Sequence, residues 1–229
     1  MHIPDGFLSR EVALGTYAAS GLGVGMALRK LQHALDERMV PVIGMMAAFI
    51  FAAQMLNFPV AAGTSGHFMG CALAVFVLGP AGGLLVMTLV LVLQCLLAGD
   101  GGLTALGANV FNMGVVGCLV SSIFAIGARW TARGRRAPFL AASAVAAFLS
   151  IVLASACCSV ELALSGTAQL WVTLAAMVGV HALIGVAEAA ITVAALSALL
   201  SARPDLVATW PQPDADLLQP TLTQKGGGT

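Results

Sequence analysis

The sequence predicts an all-α polytopic membrane protein, a bundle of about seven transmembrane helices with the N-terminus outside and the C-terminus in the cytoplasm. Of its 229 residues, 59% are hydrophobic and only 9% are charged, whereas a soluble domain carries about 25% charged residues. Mean hydropathy is +0.98. The 26 glycines favour closely packed helices over a barrel of alternating strands, because small residues let helix backbones approach one another.

Seven apolar segments approach the roughly 20 residues that a helix needs to cross the hydrocarbon. They run from about 11–28, 40–57, 68–79, 82–98, 108–128, 138–157 and 170–200. The third segment is short and is followed by Gly79-Pro80, so it is expected to tilt or to begin inside the loop before it. Six spans are the alternative.

The basic residues predict the orientation, since Lys and Arg accumulate on the cytoplasmic side of a membrane. With the N-terminus outside, only Arg10 falls on the outer side. The cytoplasmic side receives Arg29, Lys30, Arg38, Arg129, Arg133, Arg135, Arg136 and Arg203. This asymmetry indicates a multi-pass protein of the cytoplasmic membrane with its N-terminus outside.

The predicted domain organisation is one transmembrane domain, residues 1–200, whose segment 1–9 folds into the outer mouth. Residues 201–229 are predicted to be a flexible cytoplasmic tail because they are polar and interrupted by prolines. The last residues, 225–229, resemble a linker added for expression. Met1 is expected to persist in the mature chain, because residues 1–10 lack the pattern of a secretory signal.

Met1 and His2 form a potential metal chelate. The terminal amine, the amide nitrogen of His2 and its imidazole Nδ1 can close fused rings around one ion, which gives three of four in-plane donors. Such nitrogen-rich sets suit Cu(II) and Ni(II), and imidazole also serves Co(II) and Zn(II). The ordinary pKa values of amines and imidazoles predict that occupancy falls between about pH 7 and pH 5.

His67 is the candidate for the fourth donor, because it ends an outer loop on the side where Met1 and His2 lie. The alternative is that His67 only caps a helix or bonds a carbonyl. His33 lies in a basic cytoplasmic loop and is expected to be solvated. His181 and Glu188 are seven residues apart on one face of the last span, where an ionisable pair is either functional or a hydrogen-bonded part of the core.

Short polar residues around the outer loops are candidates for orienting the imidazoles from outside the ligand set. They are Ser65, Asn109 and Asn112, and N-capping by Thr104 or Asn109 is the alternative explanation. Glu188 stands without a second acidic group that would complete a proton relay inside the membrane.

The second span carries a ridge of small residues, Gly44, Ala48 and Ala52, which allows close helix packing. Whether the partner helix belongs to this chain or to another subunit stays open. The five cysteines show no C-x-x-C pair and are interpreted as small buried hydrophobic residues. They are Cys71, Cys95, Cys118, Cys157 and Cys158.

Three stretches resemble the NikM/CbiM family, the metal-specific membrane subunits of energy-coupling-factor transporters for nickel and cobalt. They are M-H-I-P-D-G-F-L-S at 1–9, A-G-T-S-G-H at 62–67 and D-G-G-L-T-A-L-G-A-N-V-F-N-M-G at 100–114. The resemblance implies a bundle of seven helices and a near-planar nitrogen set from Met1, His2 and His67. The opening and the G-A-N-V-F-N-M-G run are more similar to the nickel branch than to the cobalt branch.

The resemblance also implies the partners: a membrane coupling subunit, two cytoplasmic ATPases and often a small accessory membrane protein. No cofactor beyond the transported ion and no nucleic acid is expected. The chain has no G-x-x-x-x-G-K-[ST] sequence, so ATP hydrolysis is assigned to partners and the chain is not expected to be an enzyme. The alternative functions are a stand-alone secondary carrier or channel, or an intramembrane metalloenzyme, for which H-E-x-x-H is missing.

Overall fold

The computed structural model describes residues 1–32, 39–59 and 65–211, and these form a helical bundle with one short hairpin of strands. The helices are α1 Arg10–Leu31, α2 Met39–Gln54, α3 Cys71–Leu93, α4 Leu106–Asn109, α5 Gly117–Thr131, α6 Arg136–Leu164 and α7 Leu170–Ala202. Gln94–Ala98 continues α3, and Val110–Val116 joins α4 to α5, both as π-helical turns. The strands β1 Asn57–Pro59 and β2 Ser65–His67 pair antiparallel, with Asn57 opposite His67.

Within the described residues, four helical segments are long and apolar enough to cross a membrane. They are Cys71–Ala98, Leu106–Thr131, Arg136–Leu164 and Leu170–Ala202, and α2 is a shorter apolar helix. The membrane class is therefore confirmed, whereas the count of seven spans stays a prediction. The observed α6 extends seven residues past the predicted 138–157, because hydropathy marks the part of a helix that lies in hydrocarbon rather than its ends.

The segment Cys71–Ala98 folds back on itself at Gly79. The backbone of Gly79 is non-helical, with φ 74° and ψ 173°, and Pro80 follows it. A Cβ placed on Gly83 would lie 2.6 Å from Cγ2 of Val75, although eight residues of straight helix span about 12 Å. The chain thus forms two antiparallel helical halves, 71–78 and 80–98.

The tail closes the end of the bundle where this reversal occurs. The Gly79 break leaves the last carbonyls of the half-helix 71–78 without partners in the helix. Ala208 N donates to Val77 O at 2.9 Å, and Thr209 Oγ1 donates to Phe76 O at 2.6 Å. Thr209 is buried. These bonds fix the beginning of the tail to the bundle.

The expectation of a tail that is flexible from residue 201 is therefore wrong for its first part. Helix α7 continues to Ala202, a 3-10 turn follows at Pro204–Leu206, and the Trp210 ring packs edge-on against Phe139 with centroids 4.9 Å apart. Hydrogen bonds from the tail to the unpaired carbonyls of the half-helix 71–78 hold this part of the tail in place, and composition alone did not predict them. Residues 212–229, including the predicted linker, lie outside the described residues.

The described basic residues, apart from Arg10, lie at the end of the bundle opposite residues 1–9. Arg29 and Lys30 end α1, Arg129 is in the last turn of α5, and Arg136 begins α6. This distribution agrees with the predicted orientation, which stays a prediction.

The ridge Gly44, Ala48 and Ala52 of α2 is exposed. A Cβ on Gly44 would meet nothing within 4 Å in the part of the chain that the structure describes. The ridge therefore has no packing partner in that part of the chain.

Candidate metal centre

The first three residues enter the bundle and are held there by hydrogen bonds from main-chain groups and from the side-chain amide of Asn109. Met1 and Ile3 are fully buried, and His2 is 3% exposed. Ile3 N donates to Asn109 Oδ1 at 2.8 Å, and Asn109 Nδ2 donates back to Ile3 O at 3.2 Å. Gly102 N also donates to Ile3 O, at 2.8 Å. Asn109 thus fastens the terminal segment rather than an imidazole ring.

The two glycines of the D-G-G stretch make room for the terminal segment. A Cβ on Gly102 would lie 2.2 Å from Asp5 N, and one on Gly101 would lie 3.3 Å from Cδ2 of His2. The Asp5 carboxylate accepts hydrogen bonds from both N and Oγ1 of Thr104, each at 2.6 Å. The opening residues and the 100–104 stretch, each of which resembles the NikM/CbiM family, therefore pack directly against each other.

The His2 ring is oriented by Gln94. His2 Nε2 lies 3.1 Å from Gln94 Oε1. Since an amide oxygen can only accept, Nε2 carries the proton and Nδ1 keeps its lone pair. This Nδ1 is buried and has no hydrogen-bond partner in the described structure, and it lies 3.4 Å from Oδ2 of Asp100. The structure thus presents the nitrogen that the chelate requires.

The His67 ring lies against His2, with centroids 4.6 Å apart and planes inclined by 26°. His67 Nδ1 donates to the carbonyl of Phe68 at 2.7 Å, so Nε2 keeps its lone pair. Nε2 is buried without a hydrogen-bond partner among the described residues. The carbonyl bond of the alternative interpretation exists, but it uses Nδ1 and leaves the second nitrogen available.

Burial keeps these nitrogens uncharged. It lowers the pKa of the Met1 amine to about 5, although Cys158 and Asp100 favour the charged form. Burial and the neighbouring amine lower the pKa of His2 to about 3. The same two causes, joined by His2, hold the pKa of His67 well below its usual range. At neutral pH the three groups are therefore unprotonated, which is the state that metal binding requires.

The described side chains do not by themselves complete a metal site. Across residues 1–32, 39–59 and 65–211, no group of three or more His, Cys, Asp and Glu side chains is arranged to hold an ion. Two imidazoles need further donors, and the Met1 amine lies close enough to both rings to lower their pKa values. Asp100, half-buried beside His2 and bonded by Asn57 Nδ2 at 3.3 Å, adds negative charge.

The remaining predicted residues lie elsewhere. Asn112 was expected to orient an imidazole, but its Nδ2 donates to Glu161 Oε2 at 2.6 Å. That expectation is wrong because the π-helical turn at Val110–Val116 and α6 bring these two side chains together. The side chain of Ser65 lies outside the described part of the structure, and so does His33.

His181 and Glu188 are both fully buried, and each of them makes hydrogen bonds inside the bundle. His181 Nδ1 lies 2.7 Å from Met177 O in its own helix. The Glu188 carboxylate accepts hydrogen bonds from the main chain just after His67, at Met69 and Gly70.

Gln94 is the residue of the site that sequence analysis missed. It is the single strongly polar side chain in the predicted span 82–98, and polar residues within a span tend to be functional. That signal was present in the sequence, but the spacing between Gln94 and His2 gave no reason to connect them.

The fold and the site together define an integral membrane protein whose bundle holds a buried terminal amine beside two imidazole lone pairs. Residues 2–206 match the family model CbiM, described as the cobalt uptake substrate-specific transmembrane region. The chain belongs to this family.

Relatives and a solved structure agree with this assignment. A protein of Archaeoglobus fulgidus named as a fused nickel transport protein, NikMN, is 41% identical over 209 residues, which are 90% of this chain and 68% of that protein. The cobalt transport protein CbiM 2 of Pelobacter propionicus is 33% identical over 87% of this chain and 91% of its own length. A crystal structure of a truncated transition metal transporter superposes with a TM-score of 0.79 at 31% identity, covering 88% of this chain and 99% of that one.

Proposed function

We propose that this chain is the substrate-specific membrane subunit of an ATP-driven uptake system for Ni²⁺ or Co²⁺, of the energy-coupling-factor type. The observation that carries the proposal is the pair of buried lone pairs on His2 Nδ1 and His67 Nε2, held beside a buried terminal amine. Membership of the CbiM family and likeness to nickel and cobalt transport proteins support it.

The proposed ligands are the Met1 amine, the amide nitrogen and Nδ1 of His2, and Nε2 of His67. Four nitrogens in one plane favour Ni(II), with Co(II) a close competitor in affinity. The higher identity to the fused nickel protein than to the cobalt protein supports a lean towards nickel. The ion would enter from outside, and its release inside would follow a deformation of the bundle by the partners.

The proposed partners are a membrane coupling subunit, two cytoplasmic ATPases and a small accessory membrane subunit. The exposed ridge Gly44, Ala48 and Ala52 supports contact with a partner helix, since small residues let backbones approach closely.

A stand-alone carrier is the second candidate function. The residue that favours a carrier is Glu188, an ionisable group at membrane depth, but its carboxylate already accepts hydrogen bonds from two main-chain N–H groups. Metal uptake into vesicles that lack any ATPase would favour the carrier.

The decisive test is metal analysis of protein with a native N-terminus after competition between Ni(II) and Co(II). The proposal expects close to one ion per chain, with nickel in excess. Protein that retains neither ion would contradict the proposal, and retention of cobalt alone would reverse the lean towards nickel.

With metal in excess, occupancy is expected to persist from pH 7 down to about pH 5 and to fall below it. The reason is that protons compete for the amine only near its lowered pKa, about 5, and for the His2 ring only near about 3, so that above pH 5 a coordinated amide is the one proposed ligand that exchanges a proton. At pH 7 the amine and both imidazoles then release no proton, and only a coordinated amide does. Calorimetry in buffers of different ionisation enthalpy counts those protons. A loss of half the metal already at pH 6.5, the ordinary imidazole pKa, would contradict this expectation.

Gln94→Leu is expected to weaken metal binding roughly 10–100-fold, the usual cost of removing a group that orients a ligand. Without the Gln94 oxygen, the His2 proton is no longer held on Nε2, and Nδ1 is no longer reserved for the ion. A titration with Ni(II) measures the effect. Thr88→Val in the same helix is the matched control, because Thr88 Oγ1 bonds only Leu84 O. Equal affinity of the two variants would remove Gln94 from the site.

A further inference from the structure

The main chain beside His67 is held by a carboxylate from a distant helix. Met69 N donates to Glu188 Oε2 at 2.9 Å, and Gly70 N donates to Glu188 Oε1 at 2.8 Å. Glu188 and Met69 are both fully buried, and 119 residues separate them in sequence. Each oxygen of the carboxylate therefore has its own donor, and α7 is tied directly to the loop that carries His67.

The geometry of this loop favours a negative group at that point. The half-helix 71–78 begins immediately after Gly70, so the N–H groups of Met69 and Gly70 lie at its positive end, where an anion is favoured. Gly70 has a φ of 77°, and a Cβ there would lie 2.8 Å from side-chain atoms of Ile50 and Phe68. The main chain is thus fixed in a conformation that a non-glycine residue would not adopt without strain.

The Met69 residue is held from both sides. Its N–H is bound by Glu188, and its carbonyl accepts a hydrogen bond from Gln54 Nε2 at 2.7 Å. Gln54 is fully buried in α2. The next residue towards the N-terminus, Phe68, provides the carbonyl that orients the His67 ring. The ring direction is therefore set by a main-chain segment whose own position is set by Glu188 and Gln54.

We propose that Glu188 is a positioning residue for metal binding: through the N–H groups of Met69 and Gly70 it holds His67 Nε2 at the place of the fourth donor. This inference rests on the proposed function. A planar four-nitrogen set tolerates little displacement of one donor, and groups outside the ligand set that fix a ligand typically contribute 10–100-fold to metal affinity.

Glu188→Gln tests the proposal, because it keeps the shape of the side chain but turns one oxygen into an N–H₂ group facing a main-chain N–H. Nickel affinity is expected to fall roughly 10–100-fold, mostly through faster dissociation, with a shift in the visible ligand-field spectrum. Glu188→Asp, which keeps two oxygens, is expected to recover part of the affinity. Glu161→Gln is the matched control, since Glu161 is also a buried carboxylate bonded to an amide, Asn112, away from the His67 loop.

The result separates positioning from a merely structural role. If Glu188→Gln and Glu161→Gln bind nickel alike and with the wild-type spectrum, the positioning role is wrong. Should Glu188→Gln not fold, Gln54→Leu loosens the same Met69 residue from the other side and must show the same faster dissociation. His67→Ala is measured alongside: if that variant keeps wild-type affinity, His67 is not the fourth donor and the role of Glu188 fails with it, whereas a wild-type chain that binds neither ion would contradict the proposed function itself.

Discussion

A chain with two extra residues before Met1 is expected to lose high-affinity metal binding. The extension turns the terminal amine into an amide, which removes one donor and one chelate ring. The amine is also completely buried, so added residues have to displace the segment held by Asn109 and Gly102. The loss is expected to exceed the roughly 10–100-fold that changes outside the ligand set cost.

The sharpest form of this experiment uses one protein before and after cleavage. A leader that a protease removes to leave Met1 as the first residue gives an extended and a native chain from the same preparation. Nickel titration is expected to show tight binding only after cleavage. Equal binding before and after would exclude the amine as a ligand and would favour a carboxylate site near Asp5 or Asp100.

His67→Ala is expected to reduce metal affinity by more than 100-fold, above the range for orienting groups, because it removes the lone pair on Nε2. His2→Ala is expected to be at least as damaging, since His2 contributes the imidazole that anchors the chelate. Calorimetric titration with Ni(II) and Co(II) measures both variants. Unchanged affinity in His67→Ala would require a different fourth donor.

His33→Ala is the control for these two variants. His33 lies in sequence between the end of α1 and the beginning of α2, both at the end of the bundle opposite the site. The His33→Ala variant is expected to bind metal with the affinity of the wild-type chain. A loss of affinity in His33→Ala equal to that in His67→Ala would show that the assay reports general damage rather than ligand removal.

The sequence by itself determined the membrane class, the break at Gly79-Pro80 and the stretches that meet at the site. Hydropathy is a local property of a segment, and 59% hydrophobic residues with 9% charged ones leave few alternatives to a membrane bundle. The break is local as well, since proline cannot continue the hydrogen bonding of a helix. The resemblance to the NikM/CbiM family is confirmed by the match of residues 2–206 to the CbiM family model. It could be seen in the sequence because it depends only on residue types at fixed positions.

The tertiary structure decided which nitrogen of each imidazole is available and what holds it. The partners are Gln94 for His2, the Phe68 carbonyl for His67 and Glu188 for the loop behind it. His2 and Gln94 are 92 residues apart, and Glu188 and Gly70 are 118 apart. No periodicity connects such positions, because their contact depends on how whole helices pack.

Two of the differences between the sequence analysis and the structure have the same origin. Asn112 has the residue type and the neighbourhood of an orienting group, but the π-helical turn pairs it with Glu161. The first part of the tail is too polar to pack by hydrophobicity, yet Ala208 and Thr209 bind carbonyls left open where the half-helix 71–78 ends. Sequence reports which groups need a hydrogen-bond partner; only the packed bundle decides which partner lies within reach, because a hydrogen bond requires contact at about 3 Å.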